Sequence, residues 1–553
     1  MHAEKDTYDI LIVGAGASGA AVASRVSEDG RRSVCLVEAG PDYPALETLP
    51  FDLVNSHNNS YTAHDWGFDY QPTAAARAVN FPRGRVTGGS SAVNTTIALR
   101  GMPEDYDGWA EQGNPEWSWD RVLPAFRRME RDLDYGHEPF HGDAGPITIR
   151  RYQRDELTLV HQAFLDAARE LGYPDCPDAN DPASWGSGPH PMNKIGRLRV
   201  STAVGYLSAA RARPNLAIRA NTHVRRVLVQ EGRATGLEVE TAGEVSTIPG
   251  KLIVLCGGSL QTPPILYRSG IGPRVELERL GVDVIADVPG VAQNLSDHPA
   301  LAVLCRVKAP SILDADQPIV QTILRYTAEG SDQRNDLQIE AFSFSPRNTP
   351  LDCFAIAAVL EEVRGTGRLR IDSADPHAKP VAEPHFLEDE RDLVRLAAGV
   401  RDTIAFTKTA AYREIIDEVL FPDPARDLPD DVLFTMLRKL AASGYHPCGT
   451  AKMGPVTDPM AVVDQFGRVH AAEGLAVADA SIMPSVPRAN TNLTSIMIGE
   501  MIGEWIRTRS RIRAGRVRPS HSHVLRCDLI AARSPFDYRI SACVERRGLE
   551  GTT

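Results

Sequence analysis

The chain has 553 residues, too many for one hydrophobic core, and ordinary domain sizes divide it into two to four units. Its 42% hydrophobic and 24% charged residues are globular proportions. A formal net charge of −12 argues against a sequence-independent grip on nucleic-acid phosphates or on an acidic membrane face. The cysteines are scattered, without a CxxC pair or zinc-like spacing to histidine, and isolated thiols in a long chain suit a reducing compartment. The opening MHAEKDTYDILIV lacks the basic and apolar regions of a secretory signal, and no apolar run reaches the roughly 20 residues of a membrane helix. A cytoplasmic protein without an integral membrane segment is the expectation.

YDILIV predicts a first strand, GAGASG a glycine turn, AAVASRVSEDG a small-residue helix ending at Gly30, and SVCLVEAG a second strand, together a βαβ unit. Gly14, Gly16 and Gly19 fall in the GxGxxG pattern. The first allows the tight turn, the second the approach of a pyrophosphate, and the third close packing of helix on strand. Ala17 and Ser18 open that helix, whose free N–H groups and dipole favour an anion. Glu38, followed by Ala39, stands about 20 residues on, where a ribose hydroxyl needs an acceptor.

In FPRGRVTGGSSAVNTTIALRGMPEDYDGW, Gly88-Gly89 followed by Ser90-Ser91 offers bare backbone to a flat ring. Residues 157–173 show helical spacing, and NLAIRA, HVRRVLVQ, ATGLEVE and KLIVLCGG read as strands. The cluster GGSLQTPPILYRSGIGP follows, with a helix starting at Thr262-Pro263, and then GVAQNLSDHP. Residues 301–386 alternate like an antiparallel sheet, and helical patterns return at 391–407 and 430–442. Gly444 stands just past the second, where a helix end favours glycine. GYHPCGTAKMG therefore puts His446 on a loop or strand start, open to three readings: a satisfied buried ring, a metal ligand, or an acid–base. After GLAVADASIMPSVPRANTNLTSIMIGE, the chain from Ile512 is Arg-rich and aperiodic, which reads as a disordered tail.

These five clusters, in this order over about the first 510 residues, resemble the glucose–methanol–choline oxidoreductases, FAD-dependent enzymes acting mostly on alcohols. Thr87 is one small departure, since the first signature usually has an apolar residue there. The resemblance implies an α/β fold: a Rossmann-like FAD domain from 6–150, 201–300 and 441–511, and a substrate domain with an antiparallel sheet and flanking helices from 151–200 and 301–440, before the tail at 512–553. It implies that Gly14, Gly16, Ala17, Ser18, Gly19, Glu38 and Ala39 hold the ADP half of FAD, with Val224 at the adenine. Arg85, Val86, Gly88, Gly89, Ser90, Asn94 and Thr95 run along the isoalloxazine. Cys256, Gly257, Asp479 and Ala480 complete the cofactor wall, and Thr491 and Asn492 reach the pyrimidine edge. Some members bind FAD covalently through a histidine just before the asparagine matched by Asn94. Here that residue is Val93, so FAD is expected to be non-covalent.

The family's HP-x-GT-x-x-MG segment delivers a histidine to the flavin, and His446 falls on it, with Asn490 as its partner. The expected reaction is oxidation of a primary alcohol: His446 takes the hydroxyl proton, Asn490 orients the oxygen, and hydride goes to flavin N5. Oxygen or another acceptor then takes the electrons. Tyr445 and Cys448 read as packing or pocket-wall residues, His137 and His141 as structural, and His298 as standing at the entrance to the substrate domain. Segments 60–75 and 310–350 are expected to close the site. The last motif resembles those of aryl-alcohol and hydroxymethylfurfural-type oxidases and of choline dehydrogenases. A quaternary ammonium needs an aromatic cage and a carboxylate, and residues 300–440 show no aromatic cluster, so a neutral aryl or furfuryl alcohol is favoured over choline. A flavin-containing lyase of the same fold is a further alternative. No metal site is expected.

Overall fold

The computed structural model describes residues 7–314, 316–343, 352–423 and 428–508. The expected tail at 512–553, with His521 and His523, lies outside these residues.

The strand Tyr8–Val13 is buried on both faces except at Asp9, as the apolar run Ile10–Val13 requires in a parallel sheet. It pairs in parallel with Val34–Val37 on one side and with the Gly250–Leu255 end of the long strand Glu244–Leu255 on the other. Leu216–Arg219 extends one edge and Leu475–Val477 pairs with the other side of Glu244–Leu255, both in parallel. Before it reaches this sheet, the long strand closes an antiparallel meander with Thr222–Gln230 and Arg233–Thr241. Segments from both ends of the chain and from its middle thus build one seven-stranded sheet.

The helix Ala17–Ser27 crosses the last helix, Thr491–Thr508, at close range. A Cβ on Gly499 would come within 2.4 Å of the Ser18 carbonyl oxygen, and the Ser18 hydroxyl donates to the Ser495 carbonyl at 2.7 Å. Glu500, fully buried on the last helix, accepts from Arg25 and Arg128, each at 2.7 Å, and from the Tyr206 hydroxyl at 2.6 Å. Removing one partner of such a pair leaves a buried uncompensated charge, so this cluster pins the last helix to the first.

A second seven-stranded sheet lies in the middle of the chain. Pro299–Val307, Cys353–Leu360, Leu337–Phe342, Thr322–Tyr326 and Gly186–Pro189 run antiparallel in that order, with Ile416–Phe421 at the far edge and Ala442–Ser443 also pairing Pro299–Val307. The helices Leu159–Glu170, Glu390–Thr407 and Asp430–Leu440 flank it. Among the described residues no helix is long and apolar enough to cross a membrane.

Candidate active site

One cavity of about 570 Å³ runs from the glycine turn after the first strand to the face of the antiparallel sheet. At its first end the backbone of Gly14, Gly16, Ala17 and Ser18 forms the wall, opposite Glu38 and Ala39. The Glu38 carboxylate is held rigid by the N–H groups of Ala15 and Gly40, each donating at 2.8 Å. Burial nevertheless pushes its carboxyl up to about 7 against the pull of those donors. Gly89 sits in the left-handed region at φ 52°, and a Cβ there would come within 2.6 Å of the Gly16 Cα. Two bare backbones therefore meet where any side chain would fill the space.

Farther along, Ser90, Asn94, Thr95, Val224, Cys256, Gly257, Asp479, Ala480, Asn490, Thr491 and Asn492 line the same cavity. Asp479 accepts from the Gly258 N–H at 2.9 Å, the Thr262 hydroxyl at 2.6 Å and the Ser481 N–H at 2.8 Å, which ties the 258–262 segment and its own to one wall. Four expected contacts stand off the wall. Gly19 lies under it, because a Cβ there would come within 1.9 Å of the Gly14 carbonyl oxygen and separate helix from strand. Gly88 makes the turn at φ 100° and donates its N–H to the Ala15 carbonyl at 2.8 Å. Val86 packs with Leu53, Ala92 and Val93 in a small cluster of its own, and the Arg85 guanidinium lies over the Trp66 ring.

His446 stands where the cavity meets the antiparallel sheet. Its backbone N–H donates to the buried Asp297 carboxylate at 2.8 Å, and Asp297 also accepts from the Ser443 hydroxyl. The preceding Tyr445 is forced to φ 67° and is held there by the Ser443 hydroxyl, which accepts its N–H at 2.7 Å, and by Arg83, which donates to its carbonyl at 3.0 Å. Asn490 lies at the end of a loop anchored by the buried pair of Arg488 with Asp105 at 2.6 Å, immediately before the last helix. These two anchors bring Asn490 Nδ2 to 2.9 Å from His446 Nε2.

The other imidazole nitrogen, Nδ1, lies 2.9 Å from Nδ1 of His298. This corrects the expectation for His298: it is no entrance residue but fully buried against His446. Gly444 is corrected too. It caps no helix; a Cβ there would lie 3.1 Å from His446 Nδ1 and 3.2 Å from His298 Cβ, so its bareness admits the two rings. His298 Nε2 lies 3.7 Å from the buried Glu361 carboxyl group, without closing a hydrogen bond to it. A proton on that nitrogen leaves Nδ1 of His298 to accept from Nδ1–H of His446, and the lone pair of His446 then stands on Nε2, toward Asn490. Burial holds His446 well below the ordinary imidazole range, with His298 and Arg83 adding to it, and burial takes His298 down to about 3. Both rings are neutral at pH 7.

The remaining wall is made by Tyr61, Trp66 and Phe68 from one segment, Phe342, Gln338 and Glu340 from a sheet strand, and Tyr445 beside the histidine. Aromatic rings thus reach the cavity chiefly from 61–68, outside the 300–440 stretch where a cage was sought. Cys448 is fully buried among packing neighbours. His141 sits between Glu130 at 2.8 Å and Asp178 at 2.9 Å in a buried network whose carboxylates are matched by Arg100 and Arg151, whereas His137 is exposed.

Beside His446, two atoms of cavity-lining amides, Asn490 Oδ1 and Asn492 Nδ2, are buried without a partner. A bare-backbone cradle at one end and unmet amide atoms at the other fit a long ligand with a phosphate middle and a polar ring edge, as FAD has.

Comparison with known proteins agrees with this geometry. The N-terminal model of the GMC oxidoreductases matches residues 8–300 and the C-terminal model residues 363–499. The chain is 34% identical to the 5-(hydroxymethyl)furfural oxidase of Methylovorus sp. (strain MP688), covering 91% of this chain and 99% of that one. It is 33% identical to the oxygen-dependent choline dehydrogenase of Photobacterium profundum, covering 90% and 93%. The crystal structure of pyridoxine 4-oxidase from Mesorbium loti superposes with a TM-score of 0.83 at 27% identity, over 90% of this chain and 98% of that one. The glycine cradle, the His446 segment and these matches over nearly the whole length lead to one conclusion: the chain belongs to the GMC oxidoreductase family.

Proposed function

We propose that the protein oxidises a primary alcohol of the aryl or furfuryl type to an aldehyde, with His446 as the base and Asn490 as the residue that orients the alcohol oxygen. The observation that carries this reading is the 2.9 Å pairing of His446 Nε2 with Asn490 Nδ2 at the cavity wall. A hydroxyl entering there gives its proton to the Nε2 lone pair and accepts from the amide N–H. The first group removes the proton and the second fixes the oxygen without competing for it. His298 keeps the lone pair on the working nitrogen by accepting from the other. Bound FAD supplies the hydride acceptor at N5.

In this reading Gly14, Gly16, Ala17, Ser18 and Glu38 hold the ADP half of FAD, and Asn492 meets the flavin edge. The segments 6–150, 201–300 and 441–511 form the cofactor domain. Val93 has no nucleophile to offer the flavin. Acid precipitation of the purified protein is therefore expected to leave the yellow colour in the supernatant; flavin retained in the pellet overturns non-covalent binding.

The relatives include an enzyme named for a furfuryl alcohol and one named for choline, and the small-residue, partly aromatic wall suits a planar alcohol. Anaerobic mixing with benzyl, furfuryl and short aliphatic alcohols and with choline tests the reading directly. Bleaching of the flavin band by the planar alcohols is expected. Bleaching by choline alone moves the assignment to a choline dehydrogenase-like enzyme. A fully flavin-loaded sample that bleaches with no alcohol removes alcohol oxidation and favours lyase chemistry.

A further inference from the structure

The strand Leu337–Phe342 turns Gln338, Glu340 and Phe342 into the cavity, on a face otherwise made of small or apolar residues. Register fixes where they stand. Gln338 shares a row across the sheet with Val359 and Ala300, two residues beyond His298, and Glu340 shares the next row with Ala357 and Ala302. Glu340 is thus one row farther from the two histidines, a step of about 7 Å along the strands.

The Glu340 carboxylate is 6% exposed. Its Oε1 accepts from the Gln338 amide and lies 3.1 Å from His190 Nε2. Among the described residues no lysine or arginine comes within salt-bridge distance of it. Gln338 is oriented by the same contact: its N–H₂ must face the carboxylate, because the flipped amide would set two acceptors together. That orientation leaves Gln338 Oε1 buried with no partner. A carboxylate paired with no lysine or arginine and an orphaned amide oxygen stand side by side on an alanine floor, with the Gln338 N–H₂ and the His190 ring already at the carboxylate. Burial of the Gln338 oxygen without a donor is costly, and a charged donor offsets that cost most strongly.

We infer that Glu340 and Gln338 form a subsite for a protonated primary amine at the end of the substrate remote from the oxidised CH₂OH, so that the preferred substrate class is an amino alcohol. An ammonium brings both the positive charge and several N–H donors. A hydroxyl brings one donor and no charge, and a quaternary ammonium brings charge and no donor. This rests on the alcohol-oxidation reading above, which the test keeps separate.

The experiment compares 4-(aminomethyl)benzyl alcohol with the near-isosteric 4-ethylbenzyl alcohol, on the FAD-loaded enzyme at neutral pH. The wild type should favour the amine in kcat/KM by about 10–100-fold, the range for hydrogen bonds to a charged group. Glu340→Gln should erase that preference, and Glu340→Leu should turn it toward the ethyl compound. As a readout apart from turnover, 4-methylbenzylamine, which has no alcohol to oxidise, should perturb the wild-type flavin spectrum at concentrations where Glu340→Gln shows no change. Equal rates for the two alcohols in the wild type, or a preference that survives both substitutions, overturns the subsite. Oxidation of 4-ethylbenzyl alcohol with no amine preference overturns the subsite and leaves the alcohol reading standing. Failure of every alcohol to reduce the flavin removes that reading, and the subsite with it.

Discussion

His446→Ala is expected to keep its flavin and to lose turnover by about 10²–10⁴-fold, the usual contribution of a positioned general base. The flavin should stay because the segment is held through its backbone, by the Asp297 carboxylate and by Ser443, contacts that the substitution leaves in place. The bare-backbone cradle at Gly14, Gly16 and Gly89 lies at the other end of the cavity. The pH profile gives a second signature. Burial, with help from His298 and Arg83, keeps His446 well below its ordinary value. The ring is therefore neutral and able to accept a proton throughout neutral pH, and wild-type kcat/KM should be flat there, with its acid limb displaced well below the ordinary imidazole value. In His446→Ala the residual rate should lack that acid limb. The measurements are steady-state rates from pH 5 to 9 and the flavin-to-protein ratio. A variant with near wild-type turnover and the same acid limb removes His446 from the role of base.

Gly19→Ala is expected to abolish flavin retention and to destabilise the protein by about 3 kcal/mol or more, the upper range for overpacking. The added methyl would lie 1.9 Å from the Gly14 carbonyl oxygen, and that oxygen belongs to the turn itself, so no side-chain rotation relieves the clash. Helix Ala17–Ser27 must lift from strand Tyr8–Val13, and the lift opens the turn on which Gly14 and Gly16 present their backbone. Thermal melting and the flavin absorbance of the purified protein would show both effects together. A yellow variant that melts with the wild type would mean that the helix can shift without cost to the cradle.

How much of this was readable beforehand follows from how each feature is encoded. The glycine turn and Glu38 were legible because a short βαβ unit writes its geometry in local sequence: the turn, the helix start and the acceptor all lie within about thirty residues. His446 and Asn490 were legible only as motifs of a family, since nothing local brings residues 44 positions apart to 2.9 Å. His298 stood in a recognised cluster, yet its role depends on two strand ends meeting, Pro299–Val307 and Ala442–Ser443, whose short pairing has no pattern of its own. The bare Gly444 followed a helix closely enough to look like its cap. Steric room for two imidazole rings, rather than backbone conformation, is what the structure assigns to it.

Gln338 and Glu340 were missed for an instructive reason. In LQIEAF the polar residues alternate with apolar ones, and such alternation ordinarily marks the face turned to water. Here both faces are enclosed, one by helices and the other by the cavity, and the polar face looks inward. The segment 60–75 was expected at the site, but its rings Tyr61, Trp66 and Phe68 were not read as an aromatic wall because the aromatic cluster was sought in 300–440.

The crossing of the first and last helices has a consequence for biogenesis. The Ser18–Ser495 hydrogen bond spans 477 residues of chain, and the Glu500 cluster draws Arg25, Arg128 and Tyr206 to the same place. A nascent chain can form its glycine turn early in translation, but the opposing wall does not exist until the last helix has left the ribosome. Contacts of such long range form late because loop closure precedes any reward. Cofactor capture therefore belongs to the end of synthesis, after the helix Thr491–Thr508 has closed the wall opposite the glycine turn.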